Sequence, residues 1–184
     1  VLAHEDVHDE VVDRLETEMG GWAAGDLFDP DTKLGPLISH DQAEWVEELV
    51  EDAVAKGATL VAGGHRDGRF FEPTLLADVP HDARIVHEEQ FGPVATVTAF
   101  ADEAEALELA NGGDLGLDAS VFTSDYDRAM RVADRIEAGG VRINGPPSHG
   151  LGDIPFGGVK DSGIGREGIG HTIEAFLDTK TVIL

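Results

Sequence analysis

The chain contains no cysteine, so disulfides, thiolate metal sites and a thiol nucleophile are excluded from its 184 residues. Lysine is scarce and confined to Lys33, Lys56, Lys160 and Lys180. No apolar run approaches the ~18 residues of a membrane span, and no basic stretch followed by an apolar one opens the chain. A cytoplasmic setting without a membrane partner is therefore expected. Acid abounds instead: 37 Asp plus Glu stand against 13 Lys plus Arg, a formal net charge of −24. Such a surface repels phosphate backbones, so nucleic acid is not an expected partner either. The acids run along the whole chain and form no tail. An acid-rich, lysine-poor surface suits concentrated salt, which screens the repulsion, and a halophilic protein is expected. With 41% apolar residues, the chain can still bury a core.

Helical and strand patterns alternate. Ser39-His40-Asp41-Gln42 reads as a capping box. Val46, Leu49, Val50, Ala53 and Val54 follow at helical spacing, and Gly57 closes the helix. Thr59 to Ala62 and Val94 to Phe100 read as strands, and Asp102 to Ala110 as a helix. Ala119 to Thr123 is a further strand. Ser124 and Asp127 are expected to cap a helix with Ala129, Val132, Ala133 and Ile136 inward, and Val141 to Asn144 is the next strand. This alternation implies an α/β fold on a largely parallel sheet. Gly145 to Gly170 departs from it, with nine Gly and three Pro, as a site loop often does. Ile169 to Phe176 reads as a helix. Thr181 to Leu184 is an apolar strand that must pair within the chain or with another subunit.

Two motif matches carry little. His4-Glu5-Asp6-Val7-His8 fits the zinc-protease pattern, which needs both histidines on one helical face. Val1-Leu2-Ala3 reads as a strand end and Asp6 as the following helix cap, which puts His4 outside the helix. The pair then reads as surface histidines, and no metal site is expected. Gly163-Ile164-Gly165-Arg166-Glu167-Gly168 fits a dinucleotide fingerprint, but Lys160-Asp161-Ser162 precedes it where a strand is required. It reads as a glycine-rich turn.

Four segments together are more specific. Gly25-Asp26-Leu27-Phe28-Asp29 comes with Gly35-Pro36-Leu37-Ile38, and Glu88-Glu89-Gln90-Phe91-Gly92-Pro93-Val94 follows. Next is Gly116 to Thr123, and last the run from Pro155 to Gly168 that begins Pro155-Phe156-Gly157-Gly158. In order and spacing they resemble the C-terminal part of the aldehyde dehydrogenase superfamily, from Val1 to Leu184. Leu115, where many members carry Tyr, is a departure.

The resemblance implies the C-terminal portion of a catalytic domain over residues 1–166 and an oligomerisation tail over residues 167–184. It implies that the nucleophilic Cys, the general-base Glu and most of the coenzyme-binding half lie upstream of Val1. In the family, a thiolate attacks the aldehyde, an oxyanion is held by amide donors, and a Glu-activated water releases the acid. By match to the family block, Glu89 accepts hydrogen bonds from the nicotinamide-ribose hydroxyls of NAD or NADP, and Phe91 packs near the nicotinamide. Asn144, Ser148, His149 and Phe156 line the substrate entrance, and Glu167 binds within the family's interior. The implied partners are a small aldehyde and further copies of the chain, as a dimer or tetramer. The chain alone, without a cysteine, is expected to be inactive. Two other readings stand beside this one: a zinc hydrolase using His4, Glu5 and His8, and a non-catalytic acidic interaction domain.

Overall fold

The computed structural model describes residues 1–147 and 154–184. They form an α/β protein in two compact units, residues 1–106 and 107–184.

In the first unit, β1 (Leu2–His4) leads into α1 (His8–Met19), and an irregular stretch reaches α2 (His40–Ala55). Then come β2 (Thr59–Ala62), the short hairpin β3 (Arg66–Asp67) and β4 (Phe70–Phe71), and β5 (Thr74–Ala77). A single-turn α3 (Arg84–His87) precedes β6 (Val94–Thr96) and β7 (Thr98–Phe100). Strand β5 lies between β2, antiparallel, and β6, parallel, while β7 pairs in parallel with β1. Every residue of β5 is buried. Because successive side chains point to opposite faces, Leu75 joins Ala3, Val97 and the inner side of α1, while Leu76 joins the buried face of α2. The sheet thus has a helix on each face.

The stretch from Val94 to Phe100 is two strands where one was expected. At Val97 it changes partners: the Val97 N–H donates to Leu76 O at 2.8 Å, and Val97 O accepts from Val79 N at 3.2 Å. The side chain there is fully buried, so the switch is held by packing. Asp6 does not cap α1. Val7 occupies that place and has no side-chain acceptor to offer, while the Asp6 carboxylate lies 3.5 Å from His4 Nδ1.

In the second unit, α4 (Glu103–Asn111), which begins in the first, is followed by β8 (Leu115–Gly116) and β9 (Asp118–Val121). After these come α5 (Tyr126–Arg135), β10 (Gly140–Ile143), β11 (Val159–Lys160) and α6 (Ile169–Ala175). Strands β9 and β10 are parallel, and β8 and β11 antiparallel. The cap of α5 is Asp125, between the two residues expected, and its carboxylate accepts from Arg128 N. That bond holds the Asp125 carboxyl below its usual range. Lys160 donates to Asn111 O and Gly113 O at 2.6 and 2.8 Å and pairs with Glu137, so a cation sits at the carbonyl end of α4. Thr181 to Leu184 forms no strand. A strand is defined by its ladder bonds, and no described segment offers this one a partner.

Candidate functional site

Glu89 stands on the loop between α3 and β6, and that loop is fastened at almost every residue. Ser39 caps α2 by accepting from Gln42 N at 3.0 Å. The Gln42 side chain does not complete the capping box; its Nε2 donates to Gln90 O at 2.7 Å. One turn on, Trp45 Nε1 donates to Glu89 O at 3.4 Å. The Gln90 side chain donates to Val94 O at 2.8 Å. Glu88 is gripped by Arg84 through two bonds of 2.8 and 3.1 Å, and the Arg84 guanidinium lies 5.0 Å from the Trp45 ring centroid. Gly92 lies flat on α2, where an added Cβ would meet Val46 Cγ2 at 2.6 Å.

These contacts set local charge. The bond to Arg84 pulls the Glu88 carboxyl below its ordinary value and raises the Arg84 guanidinium. Asp52 accepts from Arg84 N at 2.8 Å and, chiefly for that reason, is also lowered. Two groups of the loop are left outward. The Glu89 carboxylate is exposed and, among the described residues, meets no donor or cation. The Phe91 ring is 75% exposed on a backbone with φ of 41°, in the left-handed region that bulky residues avoid. A built loop thus presents a carboxylate, unpartnered among the described residues, close to an exposed aromatic ring.

The other expected site residues lie in the second unit. Asn144 also has a positive φ, 52°. Its side-chain Oδ1 accepts from Thr123 N and its Nδ2 donates to Thr123 O, both at 2.9 Å. The side chain extends the β9–β10 pairing by one step and fixes where the following loop departs. Ser148 and His149 lie outside the described residues. Phe156 is half-buried and forms an antiparallel bridge with Glu167, so the two ends of the glycine-rich run are tied together. Arg166 braces that run by donating to Gly158 O and Gly165 O, both at 2.8 Å. Gly163, Gly165 and Gly168 all have positive φ, as a glycine-rich turn requires.

The zinc geometry is absent. His4 is in strand β1, its Nδ1 accepting from Asp6 N and its ring edge-on to Phe100, while His8 opens α1. His8 is not a surface residue: it is 7% exposed, with Asp9 and Asp78 at 3.1 and 3.7 Å, because its helix turn packs against the end of β5. Sequence reasoning missed Gln42, Trp45 and Arg84 as supports of the Glu89 loop. Gln42 carried the signal of a capping residue, and nothing local distinguishes a cap glutamine from one that reaches 48 residues along the chain.

The profile of the aldehyde dehydrogenase family matches residues 1–182. An NADP(+) succinate-semialdehyde dehydrogenase of Deinococcus radiodurans is 51% identical over 91% of this chain and 35% of its own length. A vanillin dehydrogenase of Pseudomonas sp. is 43% identical over 92% of this chain and 35% of its own. The crystal structure of a Mycobacterium tuberculosis aldehyde dehydrogenase complexed with NAD+ superposes with a TM-score of 0.92 at 36% identity, over all of this chain and 38% of that one. The chain spans little more than a third of the length of these relatives.

Proposed function

The chain belongs to the aldehyde dehydrogenase family, and from that premise we propose that it is the coenzyme-positioning and subunit-contact segment of an enzyme oxidising an aldehyde to a carboxylic acid. The observation that carries this reading is Glu89, an exposed carboxylate that meets no partner among the described residues, on a loop whose backbone is fastened at Glu89 O and Gln90 O. A carboxylate has acceptor sites on two oxygens, and the vicinal hydroxyls of a ribose offer two donors, so the residues fit the group. NAD or NADP, when bound, supplies the hydride acceptor. Glu89 would hold the nicotinamide ribose through its hydroxyls, and the Phe91 ring would pack beside the nicotinamide and exclude water. Fixing the ring lowers the entropic cost of reaching the transfer geometry.

Residues 1–166 complete the catalytic domain in this reading, and residues 167–184 form an oligomerisation tail. Ile169, Ile173, Phe176, Val182 and Ile183 are all exposed, which suits a segment covered by a second subunit. Ser148, His149 and Phe156 line the substrate entrance, with Asn144 anchoring the start of that loop. Relatives named for succinate semialdehyde and for vanillin share the segment, so the segment's common features concern the aldehyde group and the coenzyme more than the substrate's remainder. Without a cysteine, this chain alone forms no thiolate adduct. In this reading the enzyme works in a cytoplasm, and its excess of acidic residues suits concentrated salt.

The test is Glu89→Gln in the full-length enzyme. The expected result is a weakening of coenzyme binding by about tenfold together with slower hydride transfer. Unchanged coenzyme binding and turnover would remove Glu89 from the site.

A further inference from the structure

We infer that Asn144 is a modification site: its side-chain amide is lost by deamidation across the Asn144–Gly145 bond, and the loss opens the clamp at the end of β10. The chain has two asparagines, Asn111 and Asn144, and glycine follows each. A following glycine leaves its peptide nitrogen open to attack the asparagine Cγ, because no Cβ obstructs the approach. By sequence the two bonds are therefore equivalent. Both amides are also spent in the same way, each on a two-point grip of another backbone segment. Asn111 Nδ2 donates to Arg135 O and its Oδ1 accepts from Glu137 N, both at 2.9 Å, which ties down the end of α5. Asn144 grips Thr123 N and O, which ties down the approach to α5. The two amides thus hold both ends of the crossover from β9 through α5 to β10.

Their surroundings differ. Asn111 is half-buried, its carbonyl accepts from Lys160 Nζ at 2.6 Å, and Gly112 N donates to Leu109 O at 3.4 Å, so the attacking nitrogen is held in the last turn of α4. Asn144 is exposed, and Gly145 N has no acceptor among the described residues. A backbone N–H on Oδ1 polarises either amide and stabilises the oxygen charge that develops under attack, but only at Asn144 is the attacking nitrogen uncommitted. In the reaction Gly145 N gives its proton to water and bonds to Asn144 Cγ, the Cγ–Nδ2 bond breaks, and Nδ2 leaves as ammonia. Water then opens the succinimide ring at one of its two carbonyls, giving aspartate or isoaspartate, with no oxidation or reduction. Aspartate sets a carboxylate oxygen against Thr123 O where an N–H donor stood, since a carboxylate only accepts. Isoaspartate adds one carbon to the main chain just where the loop leaves β10.

The experiment is to age the full-length enzyme in warm, mildly alkaline buffer and to map its peptides for aspartate and isoaspartate. Asn144 is expected to be converted about tenfold faster than Asn111, with the melting temperature falling in step with the converted fraction at residue 144. In denaturant, where both grips are gone, the two bonds are expected to react at similar rates. Asn144→Asp, which supplies the carboxylate without any ageing, is expected to lower the melting temperature from the outset. Gly145→Ala, whose Cβ would lie 3.2 Å from the flexible Arg142 side chain, is expected to slow the conversion by about tenfold. Equal rates at Asn111 and Asn144 in the folded enzyme, or an intact Asn144 after ageing, would overturn the inference. So would a converted Asn144 with an unchanged melting temperature. In the reading in which Asn144 anchors the substrate-entrance loop, aldehyde turnover is expected to fall alongside. Turnover that stays level while residue 144 is converted and the melting temperature drops would overturn that loop role and support the modification site by itself.

Discussion

At the scale of single residues, the loop after α3 trades stability for presentation. Phe91 gains little from burial and carries a left-handed backbone that costs a bulky residue on the order of 1–2 kcal/mol. Phe91→Gly is expected to raise stability by about 1 kcal/mol, read as a higher melting temperature, while coenzyme binding weakens. A lower melting temperature would show that the ring is packed. Glu88 offers a pH test. Its folded-state pKa is depressed, first by its bond to Arg84. Its contribution is therefore complete above the unfolded carboxylate value of about 4.3 and is lost as pH falls through the lower folded value. The melting-temperature gap between the natural protein and Glu88→Gln should be open at pH 6 and closed near pH 3; a constant gap would separate the effect from ionisation. Glu89 and Phe91 could be singled out as candidates because they sit in a contiguous block whose residue types resemble the family's. Gln42 was not, because its partner is distant and its residue type already had a local explanation.

At the scale of elements, α2 is both a core helix and the support of the Glu89 loop. Ala43, Val46, Leu49, Val50 and Ala53 bury one face, while Gln42 and Trp45 at its start hold the loop. Ser39→Ala removes the cap and should cost about 1 kcal/mol, with the loss of coenzyme affinity exceeding what the stability change alone accounts for. A stability loss with unaltered coenzyme binding would mean that the loop does not depend on that first turn. Periodicity and capping residues made α2, α4, α5 and α6 readable within a residue or two. They did not reveal the break at Val97, since the segment is extended and apolar on both sides, and only the change of neighbours divides it. Nor did they give the antiparallel direction of β2, which is set by the turns that return the chain through β3 and β4.

At the scale of the whole molecule, a net charge of −24 spread over the surface should destabilise the fold in dilute buffer. The melting temperature is expected to rise as KCl goes from dilute to molar, where the Debye length shortens to ~3 Å. A flat or falling curve would contradict a halophilic surface. No helix among the described residues is long and apolar enough to cross a membrane. Composition could establish the charge and the missing thiol; it could not establish what faces the exposed apolar residues of α6 and the segment after it, because such a partner leaves no pattern within one chain. The Glu89 carboxylate is proposed to meet the coenzyme, and the remaining roles follow from that contact. The direct measurement is a crystal structure of the full-length enzyme with NAD or NADP bound. Both Glu89 oxygens are predicted to lie within about 3 Å of the nicotinamide-ribose hydroxyls, with the Gln42 and Trp45 bonds to the loop intact. A coenzyme whose ribose is held by other groups while Glu89 faces solvent would contradict it.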